Sequence, residues 1–280
     1  MSFNNLVSSL LQKSIGFRGG DRVVNYLAHH SAMLQCAPVK VGSLKLFMDL
    51  RSPTCRDWLQ QDLDTWEPGE REVMRQFVMP GDVVYDIGAN MGLHTAFLSS
   101  LVGPNGKVFT FEPNPALRKP LERTCENLTN VQFYPVGLGR ERTVETLYVP
   151  ADHTMASLRQ WTAQTTREFP VTVHQLDGLD LPVPAFIKCD VEGAELEVFQ
   201  GATRILSHRP VLLFEVNEHC AKSFNRPATA VVDFLAGLNA YEFFVVGDTE
   251  LVPMHESVRC ANIVAIPTYR TDEEGKSLRN

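Results

Sequence analysis

The chain of 280 residues has little positive charge and no long apolar run. Its 26 lysines and arginines are outnumbered by 33 aspartates and glutamates, which disfavours a nucleic-acid substrate because binding must displace counterions from phosphates. No apolar stretch approaches the roughly 20 residues that span a bilayer. The first residues show neither a basic leader nor a long apolar core. We therefore expect a soluble, cytoplasmic protein without a membrane span.

Several familiar site patterns are also missing. The six cysteines form no C-x-x-C pair, so their spacing indicates neither a zinc site nor a disulfide framework. The chain has no G-x-G-x-x-G sequence and no lysine-bearing P-loop, which both direct main-chain N–H groups at nucleotide phosphates. A nucleotide-phosphate site of either kind is therefore disfavoured.

Strands and helices alternate from Val83 onward, which predicts a doubly wound α/β sheet, mostly parallel, with helices on both faces. One helix is expected over 194–205, and Pro120 should kink another helix or delay its start. Strands are expected at 83–86, 107–111, 131–136, 143–149, 171–176, 185–189, 211–214, 241–246 and 262–266.

The chain divides into three parts by pattern. Residues 1–79 are expected to form an accessory cap with helices and a β-hairpin around Gly42-Ser43. One of its helices begins near Pro68. Residues 80–270 form the main domain and 271–280 a polar tail.

The segment from Asp86 to Gly92 follows the first predicted strand of the main domain. Gly88 and Gly92 have no Cβ and can adopt backbone angles closed to other residues, so a ligand can lie against the main chain. Asp86 places a negative charge at the strand tip, which repels phosphate and suits an ammonium or sulfonium group. S-adenosylmethionine carries both cations, so the segment predicts a site for this cofactor.

A second acidic residue, Glu112, ends the next strand, 20 residues after Gly92. At this spacing in doubly wound folds, a carboxylate accepts hydrogen bonds from ribose hydroxyls. The two acids and the glycine turn together favour an adenosine site. In the structural alternative, Asp86 caps the helix and Glu112 is a solvated turn acid.

The third group of charges is Lys188, Asp190 and Glu192. If the chain stays extended, these side chains point to one side, and they end a central strand where open α/β sheets place their chemistry. Glu215 ends the neighbouring strand and either points into the same cleft or is an ordinary exposed terminus. The structural alternative is a salt-bridged strand end, with Glu192 and Glu195 favouring the positive N-terminus of the next helix.

These segments carry a resemblance to a known family. Asp86–Gly92, Phe111–Pro115 and Ile187–Glu195 resemble, in order, the three signatures of the FkbM family of S-adenosylmethionine-dependent methyltransferases, and Leu176–Leu179 also matches. The likeness spans about residues 64–247. It implies the class I methyltransferase fold, a Rossmann-like sheet of seven strands with one reversed, and methylation of hydroxyl groups on sugars, glycans, polyketides and related metabolites.

The resemblance also implies roles by position. The turn that contains Asp86, Gly88, Asn90 and Gly92 would hold the methionine end of the cofactor, and Glu112 would hold the ribose. Asp190 and Glu192 would lie beside the methyl group. The family's usual Asn-Ala type of sequence is replaced by Val-Gly-Leu-Gly at 136–139, which leaves the adenine contacts open.

Methyl transfer is an in-line displacement at carbon that leaves S-adenosylhomocysteine. The enzyme has to align the acceptor and manage its proton, which is removed during attack because alcohols ionise only at high pH. Asp190 or Glu192 is the expected base, with Lys188 orienting the carboxylates or the acceptor.

Other polar and aromatic residues are weaker candidates. His153 lies in a loop, 150–168, that is long enough to contact the acceptor, and Trp58, Trp66 or Trp161 can stack on a sugar. His94 follows the glycine turn and is interpreted as packing or cofactor-lining rather than as a base.

No metal is predicted, since three separated carboxylates such as Asp190, Glu192 and Glu215 are more often metal-free. Two other functions stay open from the residues: a nicotinamide-dependent oxidoreductase and a non-catalytic protein that binds S-adenosylmethionine. The sequence predicts neither the individual acceptor nor the oligomeric state.

Overall fold

The protein is described by a computed structural model over residues 20–41, 44–59, 66–161, 166–238, 240–254 and 258–268. The Gly42-Ser43 turn and the tail at 271–280 lie outside these residues, so both stay predictions, as does the division at residue 79. The part before the main sheet contains α1 (Gly20–His30), β1 (Ala37–Val41), β2 (Leu44–Met48), α2 (Pro53–Trp58) and α3 (Pro68–Phe77).

The rest of the described chain alternates strands with short helices. In chain order the elements are β3 (Val83–Ile87), α4 (Leu93–Val102), β4 (Lys107–Phe111), α5 (Arg118–Cys125), β5 (Val131–Tyr134), β6 (Gly137–Gly139), β7 (Thr143–Val149), β8 (Arg167–Gln175), β9 (Phe186–Cys189), α6 (Glu195–Gln200), α7 (Thr203–Leu206), β10 (Val211–Asn217), α8 (Glu218–Ser223), α9 (Ala230–Ala236), β11 (Tyr241–Val246), β12 (Leu251–Pro253) and β13 (Cys260–Pro267).

The main sheet has the strand order β12-β11-β13-β10-β9-β3-β4-β5. The five strands from β10 to β5 pair parallel, whereas β13 pairs antiparallel with the strands on both its sides. This confirms the predicted doubly wound, mostly parallel sheet with a reversed strand. The short strand β12 pairs antiparallel with β11 and adds an eighth strand to the seven expected.

A second sheet of three strands, in the order β6-β8-β7, stands apart from the main one. β7 and β8 pair antiparallel along the whole of β7. On β8, Val171 and Val173 are buried while Thr172 is exposed, the alternation of a sheet with one covered face. β8 also begins at Arg167, earlier than the pattern predicted.

Two local predictions about helices have different outcomes. Pro120 lies in the first turn of α5, so it delays the start of that helix as expected. The single helix predicted over 194–205 is wrong, because the chain breaks at Gly201 into α6 and α7. A Cβ on Gly201 would lie 2.0 Å from the main-chain oxygen of Gly139, so this close approach to β6 requires glycine.

The accessory elements pack directly on the region of the glycine turn. Apolar side chains of α1, β1, β2 and α2 share one buried cluster with Met91, Leu93, Ala96 and Leu117. The main-chain N–H of Phe47 also donates a hydrogen bond to Oγ1 of Thr124 in α5, 2.9 Å away. None of the helices in the described ranges is long and apolar enough to cross a membrane.

Candidate active site

Three neighbouring strands of the main sheet end side by side. The last residues of β4 and β9 are paired with the last residue of β3. The residues that follow these strands are Gly88, Glu112 and Asp190. The sheet therefore brings the three predicted signatures together at its carboxyl edge, where ligands bind in open α/β folds.

A cleft of about 970 Å³, which includes the space at its open mouth, lies at this edge. Most of the residues proposed from the sequence line it: Gly88, Asn90, Glu112, His153, Asp190, Glu192 and Trp66. Four others are not among its lining residues: Asp86, Gly92, Lys188 and Glu215.

Gly88 and Gly92 have φ angles of +81° and +83°, in the left-handed region that favours glycine. A Cβ on Gly88 would lie 1.7 Å from the main-chain oxygen of Asp190, so the close approach of two strand ends also requires glycine. A Cβ on Gly92 would lie 2.8 Å from Cδ1 of Leu121. The Cβ side of Gly92 is thus filled by the packing of α5, and contact of Gly92 with a cofactor stays a prediction.

Glu112 is held by the main chain around it. Its Oε2 accepts a hydrogen bond from the N–H of Asn90 at 3.0 Å, and its Oε1 accepts one from the N–H of Asn114 at 2.9 Å. Burial raises the pKa of Glu112 to about 7 despite these donors. The carboxyl group is fixed in the cleft wall with lone pairs left for a ligand's hydroxyls.

Asn90 adds an unsatisfied acceptor to the same wall. Its Nδ2 donates to the main-chain oxygen of Thr154 at 3.0 Å, while Oδ1 is buried without a hydrogen-bond partner. A buried polar atom without a partner is unusual in native structures, and it commonly marks a place where a ligand or water binds.

Asp86 and Lys188 are buried in the interior instead of facing the cleft. Thr95 donates its hydroxyl to Oδ2 of Asp86 at 2.5 Å, so this carboxylate organises the start of α4. The Nζ of Lys188 lies 3.1 Å from Oδ2 of Asp190. Burial alone would lower the pKa of Lys188, but the negative charges around it, chiefly that of Asp190, raise its pKa above the usual range.

The chain does not stay extended after β9, contrary to the expectation for Lys188, Asp190 and Glu192. Glu192 has a φ of +53°, so the chain turns there in a left-handed conformation. Asp190 and Glu192 still both line the cleft, whereas Lys188 contacts Asp190 from the interior. The ion pair of Lys188 with Asp190 and the hydrogen bonds that Glu195 accepts from the main chain of the same turn both fit the structural alternative, whereas Glu192 lines the cleft.

Glu192 lines the cleft and belongs to a group of crowded acids that includes Glu215, which is not a lining residue. Its Oε2 accepts a hydrogen bond from the thiol of Cys220 at 3.4 Å. Burial, followed by the charges of Asp190 and Glu215, raises the pKa of Glu192 to about 8. Burial and the charge of Asp190 likewise raise the pKa of Glu215 to about 8, and this side chain contacts Asn217.

The first part of the loop predicted at 150–168, residues 150–158, forms a wall of the cleft. Its anchor is Asp152, whose carboxylate accepts hydrogen bonds from Ser52 at 2.7 Å and Thr54 at 2.5 Å. His153 lines the cleft but is 2% exposed, with its Nε2 3.6 Å from Oδ2 of Asp49. Burial lowers the pKa of His153.

Two of the three tryptophans line the cleft. The rings of Trp58 and Trp66 meet edge to face, with centroids 5.5 Å apart and an interplanar angle of 60°. Trp161 packs against His219 and is not a lining residue. A sugar-stacking role is therefore open to Trp58 and Trp66 but not to Trp161.

Sequence reasoning missed a charged group on the same side of the cleft as Trp66. The Nε2 of His94 lies 2.6 Å from Oε2 of Glu67 and 3.5 Å from Oε2 of Glu70. Two carboxylates and an imidazole at this spacing are also a possible ligand set for a divalent metal, distinct from the set considered above. The only sequence signal was His94 itself, because Glu67 lies 27 residues earlier, in another element.

Comparison with known proteins supports the family resemblance. The family model named Methyltransferase FkbM domain matches residues 86–242, more than half of the chain. A hexuronic acid methyltransferase, AglP of Haloferax volcanii, is 28% identical over 160 residues, which are 53% of this chain and 63% of AglP. Methyltransferase 1 of Beauveria bassiana is 31% identical over 147 residues, which are 42% of this chain and 57% of that protein.

Among solved structures, the FkbM methyltransferase of Methylobacillus flagellatus aligns with a TM-score of 0.46 and 16% identity, covering 70% of this chain and 50% of that one. The chain thus spans less than two thirds of the length of each of these relatives. The family model covers the strand ends and turns of the main sheet that line the cleft, from Asp86 to the first residues of β11, but not the lining residues Trp58, Trp66 and Glu67. The chain belongs to the FkbM methyltransferase domain family.

Proposed function

We propose that the protein is an S-adenosylmethionine-dependent O-methyltransferase that acts on a hydroxyl group of a sugar, a glycan or a polyketide-like metabolite. The observation that carries the proposal is the convergence of Gly88, Glu112 and Asp190 on one cleft at the carboxyl edge of the sheet. The similarity to a hexuronic acid methyltransferase favours a sugar acceptor.

The residues of the cleft fit the cofactor chemically. Glu112 offers a fixed carboxyl group to ribose hydroxyls, and the unpartnered Oδ1 of Asn90 accepts a hydrogen bond from a ligand donor. Asp190 and Glu67 supply negative charge for an ammonium and a sulfonium. When bound, S-adenosylmethionine supplies an activated methyl group on a good leaving group.

The protein's own contribution is positioning and proton removal. Holding an acceptor oxygen in line with the methyl group removes on the order of 7 to 11 kcal/mol of barrier. Asp190 takes the acceptor's proton as the new carbon–oxygen bond forms, an effect of roughly 10² to 10⁴-fold. Glu192, whose pKa is raised to about 8, can serve as this base only where it is ionised. Lys188 orients Asp190 from the interior and is a positioning residue.

The test has two stages. Calorimetry with purified protein measures binding of S-adenosylhomocysteine, and NAD serves as the competing ligand. Mass spectrometry of a cell extract incubated with the protein and methyl-labelled S-adenosylmethionine then identifies the labelled acceptor. Binding of NAD in place of S-adenosylhomocysteine contradicts the cofactor assignment, and binding without any methylated product contradicts the enzymatic one.

A further inference from the structure

The geometry points to an acceptor that is an uncharged sugar or polyol, whose ring stacks on Trp66 while its hydroxyls donate to Glu67. This inference rests on the proposed function and narrows its substrate class. It follows from the charges that line the cleft and from the aromatic pair at one side of it.

Four acidic residues of the described chain line the cleft: Glu67, Glu112, Asp190 and Glu192. The raised pKa values of Glu112, about 7, and Glu192, about 8, leave these two protonated to a large extent at neutral pH, so the negative charge of the cleft comes chiefly from Glu67 and Asp190. No lysine or arginine lines it in the part of the chain that the structure describes. Two histidines line it there. Glu67 already occupies the Nε2 of His94, and burial lowers the pKa of His153, which favours its neutral form.

The described cations around the site are already engaged. Lys188 is 3% exposed and contacts Asp190. Arg226 pairs with Glu197 and donates to the main-chain oxygen of Gly193. Arg159, which directly follows the lining residue Leu158, lies 3.2 Å from a carboxylate oxygen of Glu145.

An acceptor with a carboxylate or phosphate would therefore enter a cleft whose described lining residues offer it negative charge and no lysine or arginine. Burying an anion without a partner is strongly unfavourable, and like charges at short range add repulsion. The same carboxylates are good acceptors for the hydroxyl donors of a neutral sugar. The charge of the cleft thus favours neutral over anionic acceptors, and the same charge attracts a cationic methyl donor.

The aromatic side of the cleft complements this chemistry. Trp66 is half-buried and next to Glu67, whereas Trp58 is 8% exposed and supports Trp66 edge-on. The indole Nε1 of Trp58 is buried without a hydrogen-bond partner. An apolar ring face beside a carboxylate matches a pyranose, which presents C–H groups on one face and hydroxyls at its edge.

Matched acceptors test the charge rule. Methyl glucoside is compared with methyl glucuronide, and methyl galactoside with methyl galacturonide, because each pair differs in the group at C6. Methyl transfer from S-adenosylmethionine is followed by mass spectrometry, and S-adenosylhomocysteine binding is measured in parallel. We expect kcat/KM at least tenfold higher for the neutral member of each pair.

Variants assign the effect to residues. Glu67→Gln should reduce the ratio of kcat/KM between the neutral and the charged member several-fold. Glu72→Gln, which neutralises an exposed acid of α3, should leave that ratio unchanged. Trp66→Ala should raise the acceptor KM at least tenfold with little effect on S-adenosylhomocysteine binding. Trp66→Phe should restore most of the loss, and Trp161→Ala should behave as wild type.

Three outcomes overturn the inference. Equal or better transfer to the uronides contradicts the charge rule. Absence of transfer to any sugar, with S-adenosylhomocysteine still bound, contradicts the sugar acceptor and leaves the methyl donor in place. Failure to bind S-adenosylhomocysteine contradicts the proposed function itself and the inference with it.

Discussion

The ammonium nitrogen of Lys188 lies 3.1 Å from Oδ2 of Asp190, and the two side chains differ sharply in exposure, 4% against 42%. The pair therefore joins a buried cation to a carboxylate that reaches the cleft. Asp86 and Glu70 also act on Lys188 through their charges. The positive charge of this one ammonium offsets the negative charges of several acids. Both the position of Asp190 and the stability of the site therefore depend on Lys188.

Replacing Lys188 by methionine should therefore destabilise the fold. Removing one partner of a fully buried ion pair costs about 3–5 kcal/mol because the remaining charge is left unpaired. The loss here should lie between that range and the roughly 1 kcal/mol of a surface pair, since Asp190 is 42% exposed and water partly screens its charge. Urea unfolding measures the loss. The loss should be smaller at pH 5 than at pH 8, since the unpaired carboxyls take up protons as the pH falls.

The control for this variant is Lys222→Met, which removes an exposed lysine from a pair with Glu218. That surface pair contributes about 1 kcal/mol at most. Equal losses in the two variants, or a loss for Lys188→Met that is the same at both pH values, would contradict the role assigned to Lys188.

Asp190→Asn should reduce turnover far more than cofactor affinity. The amide keeps the shape of the side chain but cannot take a proton, so we expect kcat to fall roughly 10² to 10⁴-fold. Calorimetry with S-adenosylhomocysteine should show a change in Kd of less than about tenfold. Asp180→Asn, at an exposed position, is the matched control, and turnover equal to wild type in Asp190→Asn would remove this residue as the base.

Much of this site was readable from local sequence patterns. The apolar runs that end at Ile87, Phe111 and Cys189 predicted strands, and parallel pairing then brings their following residues to one edge without further information. The special backbone conformation of Gly88 was likewise predictable. The structure adds a second reason for glycine there, which is the close approach of the main-chain oxygen of Asp190.

The contacts that shape the side of the cleft proposed for the acceptor could not be predicted from local sequence patterns. Asp152 binds Ser52, 100 residues earlier, and Glu67 meets His94 across two elements. No local period encodes such pairs, because they depend on how separate segments pack. The left-handed turn at Glu192 was missed for a related reason, since an extended chain is the default expectation after a strand.

Glu192 should make the stability of the free protein depend on pH. Its pKa is raised from 4.5 to about 8 by burial and by neighbouring acids, so the folded state holds its proton where the unfolded state has lost it. The stability that the protonated Glu192 contributes is therefore present in full below pH 4.5 and is lost as the pH rises toward 8. The slope approaches 1.4 kcal/mol for each pH unit in that window.

Glu192→Gln should flatten this slope, because the amide never ionises. Urea unfolding at pH 5, 6.5 and 8.5 measures it, with Glu72→Gln as the exposed control. We expect the difference in unfolding free energy between Glu192→Gln and wild type to shift in favour of the variant as pH rises. Parallel pH curves for the two proteins would show that this carboxyl does not titrate as a buried acid.

Two glycines with similar backbone angles separate conformational strain from close contact. Gly81 has a φ of +95° and no atom within 4 Å of a built Cβ, whereas at Gly88 the Cβ would lie 1.7 Å from the oxygen of Asp190. Gly81→Ala should cost only the left-handed conformation, about 1–2 kcal/mol. Gly88→Ala adds overpacking and should cost about 2–5 kcal/mol, with loss of S-adenosylhomocysteine binding as β3 and β9 separate. Thermal unfolding and calorimetry compare the variants. Binding retained by Gly88→Ala would mean that the approach of the two strand ends is not what forms the cofactor side of the cleft.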